Sequence, residues 1–224
     1  MRLTKIAAIA TAALLAMSCA ATKYVSGVDT STIDEVAVIG PVSDIEFVVK
    51  ELYTRDDSLS DVNRTIVLNA LHTGGMPISK VLDPDSSDAH GQIFEDVRAL
   101  TMVYPRKLDG RTLTPAVRDF LQENGCRYGV LMYSNGFRRD AADYFKRNAI
   151  LFVLDLMLSI VFPGGETFYY AEDRQATNLY MMVADAQEDK ILYYKKIERP
   201  GENPVRERPV TRRVHRMVKK FYKQ

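Results

Sequence analysis

Runs of apolar residues alternate with polar turns along most of the chain, and their spacing predicts strands and helices. Six runs are rich in β-branched or aromatic residues and end at turn residues, which predicts strands at residues 36–39, 45–49, 78–82, 126–133, 178–186 and 191–197. The first two runs form two strands or one continuous strand. The run at 126–133 is almost continuously apolar, which is typical of a strand covered on both faces. The last two runs enclose a polar turn and predict a β-hairpin.

Apolar positions recur at helical spacing in four further segments. These are residues 61–72 with Ser60 as N-cap, residues 89–102 with Asp88 as N-cap, the segment from Thr114-Pro115 to Asn124-Gly125, and residues 210–222. Strands and helices in this order predict an α/β (α+β) fold. We expect a mixed sheet of about five strands with helices packed on it, ending in an amphipathic helix, as a single domain over residues 34–224.

A different apolar stretch lies at residues 149–162, where the only charged side chain is Asp155. As a helix it is about 21 Å long, shorter than a bilayer core of about 30 Å, so we do not expect it to span a membrane. Tyr144, Asn148, Asp155 and Ser159 fall on one narrow stripe of this helix, and the rest is apolar. Three interpretations stay open: the helix is buried in the domain, docked on a second copy, or laid against a membrane.

The C-terminal helix has an apolar face and a basic face. The basic face is open to two interpretations. It contacts an anionic surface, or it is the solvated side of a docked helix, where cations near the C-terminus stabilise the helix. Both helices contribute to one candidate interaction surface. Its residues are Leu151, Phe152, Leu154, Met157 and Leu158 on the apolar stretch, and Arg212, Arg213, Arg216, Lys219 and Lys220 on the basic face.

The first nineteen residues have the pattern of an export signal: Arg2 and Lys5, a short apolar run, then Ser18-Cys19. Residues 15–19, Leu-Ala-Met-Ser-Cys, resemble a bacterial lipobox. The resemblance implies cleavage after residue 18 and a lipid such as palmitate on Cys19, which anchors the chain in a membrane. The rest of 19–33 is then a flexible tether. Ala20 supplies no acidic retention signal, which in lipoproteins favours the outer membrane, and no acidic run supports surface exposure.

Charge and cysteine content narrow the class of partner. The formal charge is +1, and removing Arg2 and Lys5 with the signal takes it to −1, so no global field suggests nucleic acid. With Cys19 lipidated, Cys126 is the only other cysteine and no internal disulfide forms. Cys126 is then either a small buried hydrophobe or a reactive thiol.

No catalytic constellation is visible in the sequence. The three histidines lie on different predicted helices without a ligand-spaced partner, and no nucleophile elbow, zinc-binding helix or Gly-rich phosphate loop occurs. We therefore expect no enzyme, no metal and no cofactor. Asn63-Arg64-Thr65 matches a glycosylation sequon, which we interpret as chance. A spatial group of carboxylates would instead indicate a hydrolase of envelope polymers, drawn from Asp83, Asp85, Asp88, Asp140 and Asp143.

The order of these segments resembles a known class of proteins. A strand ends at residues 134–137, Ser-Asn-Gly-Phe, and is followed by Arg138-Arg139, an apolar helix, Pro-Gly-Gly and a strand pair containing Tyr193-Tyr194. Behind a lipobox, this order resembles small α/β lipoproteins of the Gram-negative envelope. The wider order of strands and helices, from residues 36–39 to the terminal helix, resembles the α/β envelope lipoproteins that include the curli-secretion-channel lipoprotein, the lipoprotein activator of penicillin-binding proteins and the N-terminal domain of TolB.

The resemblance implies a mixed sheet carrying helices and a role in binding or assembly. No long amphipathic strand inserts of the kind that build the curli pore are present. We therefore expect a lipid-anchored outer-membrane protein that faces the periplasm and binds an envelope partner or itself. A polymer hydrolase and a lipid-binding protein remain the alternatives.

Overall fold

A long strand in the middle of a mixed sheet organises the fold. The computed structural model describes residues 23–25, 27, 29–83, 90–103, 108, 111–161 and 173–222. The predicted signal, the lipid site Cys19, and Asp85 and Asp88 lie outside these residues. In chain order the elements are β1 (Lys23–Val25), a 3₁₀ turn (Thr30–Thr32), β2 (Val36–Val49), β3 (Leu52–Arg55), α1 (Asp57–Thr73), β4 (Ile78–Leu82), α2 (His90–Thr101), α3 (Pro115–Glu123), β5 (Tyr128–Arg139), α4 (Ala141–Val161), β6 (Gln175–Asp185), β7 (Lys190–Pro200) and α5 (Glu207–Phe221).

The sheet has seven strands in the order β1-β7-β6-β5-β2-β3, with β4 also paired to β2. Strand β2 runs parallel to β4 and β5, whereas β5-β6, β6-β7, β7-β1 and β2-β3 are antiparallel. The α/β class and the mixed sheet are confirmed. The predicted count of about five strands is too low because β1 and β3 are short and lack an apolar run, so neither carries a strand signal.

Helices cover both faces of the sheet, and each face has its own apolar core. Strand residues such as Val38 and Met132 point to the face that carries α1 and α5. Their neighbours Ile39 and Leu131 point to the face that carries α2 and α3. This double burial explains the continuous apolar run of β5 and confirms the strand prediction for it.

Two adjacent tyrosines of β7 hold a helix on each face. Tyr193 is fully buried and donates a hydrogen bond from its hydroxyl to the carbonyl oxygen of Met217 in α5 at 3.1 Å. Tyr194 points the other way and donates to the carbonyl oxygen of Thr101 in α2 at 2.8 Å. Burial raises the pKa of both hydroxyls, so they stay protonated donors at neutral pH.

Several predicted element ends differ from the observed ones. Helix α1 starts earlier than predicted because Asp56, not Ser60, is its N-cap: the Asp56 carboxylate accepts from the Leu59 N–H at 2.9 Å. Ser60 lies inside the helix and its hydroxyl accepts from the Ile45 N–H of β2. Strand β5 continues to Arg139, although the sequence predicts that the polar residues after 133 leave the sheet. Pairing with β2 and β6 on both sides holds them in it.

The N-terminal segment also differs from the tether prediction for residues 19–33. Lys23–Val25 pairs with β7, and Thr30 is fully buried. The Thr30 hydroxyl donates to the carbonyl oxygen of Phe221 at 2.7 Å. This part of the segment is therefore attached to the domain, and any freely moving tether is shorter than predicted.

The glycine of the Ser-Asn-Gly-Phe motif is expected to be sensitive to substitution. A Cβ at Gly136 would overlap the carbonyl oxygen of Ala176 on β6, where only backbone movement can relieve the clash. We expect Gly136→Ala to lower the free energy of unfolding by about 1–3 kcal/mol, as overpacked sites do. Urea denaturation of the purified chain measures it.

A helical glycine with open space around it provides the matched control. Nothing lies within 4 Å of a Cβ placed at Gly91 in α2, so Gly91→Ala is expected to leave stability unchanged or to raise it by up to about 1 kcal/mol. Equal midpoints for Gly136→Ala and the unchanged chain would contradict the close approach of β5 and β6.

Candidate functional site

Helix α4 exposes most of its apolar surface. Eight of its apolar side chains are between 42% and 61% exposed: Phe145, Ile150, Phe152, Val153, Leu154, Leu156, Met157 and Leu158. We define the α4 apolar face as Phe145, Ile150, Val153, Leu154, Met157 and Leu158. At about 100° per residue these six side chains cover about 220° of the helix circumference. The described residues do not support the interpretation of this stretch as a buried core helix, because they leave these apolar side chains exposed.

Beyond the base of the helix, where Asp143 and Arg147 are also half-buried, the half-buried side of α4 is narrow and mostly polar. Tyr144, Asn148, Leu151 and Asp155 are half-buried, and they fall within about 60° of the circumference. An ordinary surface helix buries its apolar stripe and exposes its polar one. Helix α4 has the reverse arrangement, which is typical of a helix that meets an apolar surface outside its own domain.

The start of α4 is capped and fixed to the turn between β2 and β3. The Asp140 carboxylate accepts from the Asp143 N–H at 2.9 Å, which caps the first turn. Asp143 in turn accepts from the Lys50 N–H at 2.7 Å. Lys50 and Glu51 both have positive φ, which gives this two-residue turn a tight conformation. The β2-β3 turn and the base of α4 therefore form one unit.

Ion pairs strengthen the same junction. The Glu51 carboxylate lies 3.1 Å from the Arg139 guanidinium and also pairs with Arg147 of α4. Arg139 donates to the Tyr53 hydroxyl at 3.0 Å and stacks over the Phe137 ring. These contacts join the C-terminal end of β5, the β2-β3 turn and α4.

The β2-β3 turn extends the exposed apolar surface beyond α4. Val49 and Leu52 flank the turn and are 39% and 71% exposed. They pair directly with each other across the two strands. Because the turn contacts the base of α4, apolar side chains from two elements are exposed at the same end of the sheet.

Strand β1, followed from Val25 to Lys23, runs towards this same end of the sheet. Lys23 pairs with Lys195 and Val25 with Tyr193, so in this direction β1 runs along β7 towards Pro200. Pro200 pairs with Ala176, which pairs with Phe137, two residues before β5 ends. The N-terminal direction of β1 therefore points to the end of the sheet where α4 begins.

The structure places the basic residues of the candidate surface on a docked helix. α5 packs its apolar side on α1 and the sheet. Its exposed cations are Arg212, Arg216, Lys219 and Lys220, whereas Arg213 is half-buried. Both Arg212 and Arg213 pair with Glu202, at 3.7 and 3.3 Å. The ten predicted contact residues thus lie on two different helices. On α4, Leu151 belongs to the half-buried side, while Phe152, Leu154, Met157 and Leu158 are exposed.

A polar cleft that the sequence did not predict lies beside β2. It has a volume of about 340 Å³ and opens where β2 passes from its pairing with β4 to its pairing with β3. Arg98 lies 3.8 Å from Asp44, and the Tyr133 hydroxyl lies 3.4 Å from the same carboxylate. Burial, with a smaller contribution from Asp44, raises the pKa of Glu46 nearby. The cleft carries charges of both signs that pair with each other, so it has no clear preference for a ligand charge.

The carboxylates proposed for a hydrolase are not brought together where the structure describes them. Asp83 follows Leu82, which pairs with Ile39, and Asp140 follows Arg139, which pairs with Val48. Nine residues of β2 separate these positions, or about 30 Å. In the described residues, no three His, Cys, Asp or Glu side chains are arranged to hold a metal. Cys126 is half-buried.

No helix within the described ranges combines the length and apolar character needed to cross a membrane. The exposure of the α4 apolar face favours two of the three interpretations of α4: contact with another protein copy, and contact along a membrane surface. Sequence periodicity identified the apolar residues of α4 but could not show which side of the helix the domain covers. The exposed residues of the β2-β3 turn carried no signal beyond isolated apolar positions.

No protein-family profile and no curated protein matches this sequence. Among solved structures, the chain is similar to a PelC dodecamer from Paraburkholderia phytofirmans, with 9% identity over 89% of this chain and 91% of that one and a TM-score of 0.35. It is also similar to a putative neuraminyllactose-binding hemagglutinin homolog from Helicobacter pylori, with 9% identity, 85% and 81% coverage and a TM-score of 0.33. A DUF4136 family protein from Bacteroides thetaiotaomicron matches with 6% identity, 89% and 94% coverage and a TM-score of 0.33. Likenesses at these identities and TM-scores assign neither a family nor a function.

Proposed function

We propose that this chain is a lipid-anchored protein of a bacterial envelope that acts by binding and not by catalysis, with the α4 apolar face as its binding surface. The observation that carries the proposal is the inverted arrangement of α4, which turns its polar stripe towards its own domain and its apolar side outwards. Large exposed apolar patches of this kind mark interaction sites. The lipobox-like residues 15–19 support an anchor on Cys19.

The direction of β1 supports a common location for the anchor and the binding surface. Cys19 precedes Lys23 by four residues, which span at most about 14 Å. From Lys195, opposite Lys23, to the end of β7 is five residues, or about 17 Å. A lipid on Cys19 would therefore be attached near the end of the sheet that carries α4 and the β2-β3 turn. Ala20 after the cysteine favours the outer membrane and a periplasm-facing domain.

Substitution of the two cysteines tests the anchor. We expect Cys19→Ala to abolish incorporation of labelled palmitate into the protein. A thioether to diacylglycerol requires the sulfur of Cys19, so no neighbouring residue replaces it.

Cys126→Ala is the matched control because it removes the other cysteine, which is half-buried in the domain. It is expected to keep both the label and the membrane location. Palmitate labelling that survives in Cys19→Ala, or is lost in Cys126→Ala, would contradict the proposed anchor.

A further inference from the structure

The occupant of the α4 apolar face is the central question that the fold leaves. The centre of the face, formed by Val153, Leu154 and Met157, is between 46% and 60% exposed. Moving such a side chain from water into an apolar phase is favourable in proportion to the apolar area buried. Several of them side by side therefore provide a substantial driving force for contact with an apolar phase.

We propose that the occupant is the surface of the lipid bilayer that holds the anchor, with α4 lying along the membrane interface and its apolar face in the acyl-chain boundary. This inference rests on the proposed function and names the partner of the same surface. Interfacial helices of this type insert about 5–10 Å and bind through apolar area together with attraction to anionic lipids.

The position of the anchor favours a membrane over a second copy. Followed from Val25 to Lys23, β1 runs towards the end of the sheet where α4 begins, and the four residues from Lys23 to Cys19 can span at most about 14 Å. A lipid at Cys19 holds this end of the domain at the bilayer. The tethered helix then meets lipid at a high effective concentration, before it meets another protein.

The charge around the base of α4 also favours lipid. Residues 138–147, the β2-β3 turn and residues 173–174 contain six cations, Lys50, Arg138, Arg139, Lys146, Arg147 and Arg174, and four carboxylates, Glu51, Asp140, Asp143 and Asp173. Six minus four leaves a net charge of +2. Two copies meeting base to base would bring like charges together, whereas anionic head groups would be attracted.

The polar stripe fixes the orientation of the helix. Asp155 sits in the middle of the apolar stretch, and a carboxylate at the bilayer centre is strongly unfavourable. Because Tyr144, Asn148 and Asp155 share one half-buried side, a helix lying flat keeps all three out of the acyl chains. The same rotation directs Met157 and Val153 into them. A helix inserted on end would carry Asp155 inwards.

Tryptophan fluorescence tests the proposal directly because the chain contains no tryptophan. The probe is Met157→Trp, at the centre of the α4 apolar face, in the full mature chain carrying Cys19→Ser so that binding does not depend on lipidation. Val62→Trp on α1 is the matched control, since Val62 is an apolar residue of another helix with 45% exposure. Vesicles of phosphatidylethanolamine and phosphatidylglycerol are added, with and without brominated acyl chains.

We expect the Met157→Trp emission to shift to the blue with vesicles and to be quenched by the brominated lipid, while Val62→Trp does not change. Adding Leu154→Glu to the Met157→Trp chain should weaken vesicle binding at least about tenfold, because burial of one leucine accounts for that factor. Both positions are exposed, and unchanged far-UV circular dichroism verifies that the variants fold.

The other outcomes overturn the inference and separate it from the proposed function. A blue shift without vesicles that grows with protein concentration, together with a dimer mass by light scattering, would show that a second copy occupies the face, and binding by α4 would stand. A blue shift in a vesicle-free monomer would show that the chain covers its own helix. An unshifted emission under all conditions would remove both the membrane contact and α4 as a binding surface.

Discussion

Replacing Phe221 with alanine is expected to lower the free energy of unfolding by about 3–5 kcal/mol, the range for truncating a buried phenylalanine. Phe221 is fully buried at the end of α5. Its ring packs edge-on against Tyr193 of β7 with centroids 5.4 Å apart. The backbone carbonyl of the same residue accepts the Thr30 hydroxyl, so the cavity would open where α5, the sheet and the N-terminal segment meet.

Urea denaturation followed by circular dichroism measures this change. Phe145→Ala is the matched control, because Phe145 is 61% exposed on α4 and its ring contacts the Arg174 guanidinium at 5.7 Å. Its loss should cost no more than about 1 kcal/mol. Equal destabilisation by both substitutions would contradict the exposed position of α4.

The second large effect is expected at Asn63, a fully buried polar residue of α1. Its amide oxygen accepts from the Ser43 hydroxyl at 2.9 Å, and its amide nitrogen donates to the Pro204 carbonyl oxygen at 2.6 Å. Asn63→Leu keeps the number and branching of the side-chain heavy atoms but removes both hydrogen bonds. Each buried group left without a partner costs about 1–3 kcal/mol, so we expect a loss of about 2–4 kcal/mol after the gain from the apolar side chain.

The same substitution at an exposed asparagine of this helix is the control. Asn69→Leu is expected to change stability by less than about 0.5 kcal/mol. Ser43→Ala in the Asn63→Leu background should recover part of the lost stability, because it removes the Ser43 hydroxyl, one of the two polar groups that lose their hydrogen-bond partner. If Ser43→Ala recovers no stability, the destabilisation by Asn63→Leu comes from packing and not from the lost hydrogen bonds. The burial of Asn63 also excludes a glycan there in the folded chain.

The sequence predicted the elements in which the pattern of apolar side chains matches the pattern of burial. The sequence predicted β5 and the β6-β7 hairpin as strands because consecutive apolar residues point to opposite faces of the sheet, and both faces are buried. α5 was predicted equally well, since Val210, Val214 and Met217 face the core at helical spacing. In each case the local pattern and the tertiary contact agree.

The remaining elements depend on partners that a local pattern does not show. β3 is exposed along its whole length and is a strand because it pairs with β2. The second half of β5 is polar and is held by neighbours on both sides. For α4, composition showed that most of the circumference is apolar, but it could not show that Asp155 and Asn148 face the domain. The candidate site therefore came from burial and not from periodicity.

The pairing of β1 with β7 has a mechanical consequence for an anchored protein. The hydrogen bonds between antiparallel strands lie perpendicular to the strands. A pull from the proposed anchor at Cys19 that is directed along β1 would load these hydrogen bonds in shear. Force in that direction shears all the β1-β7 hydrogen bonds together, where a sideways pull would peel them one at a time. The short strand β1 would thus resist a pull from the membrane before the force reaches the rest of the domain.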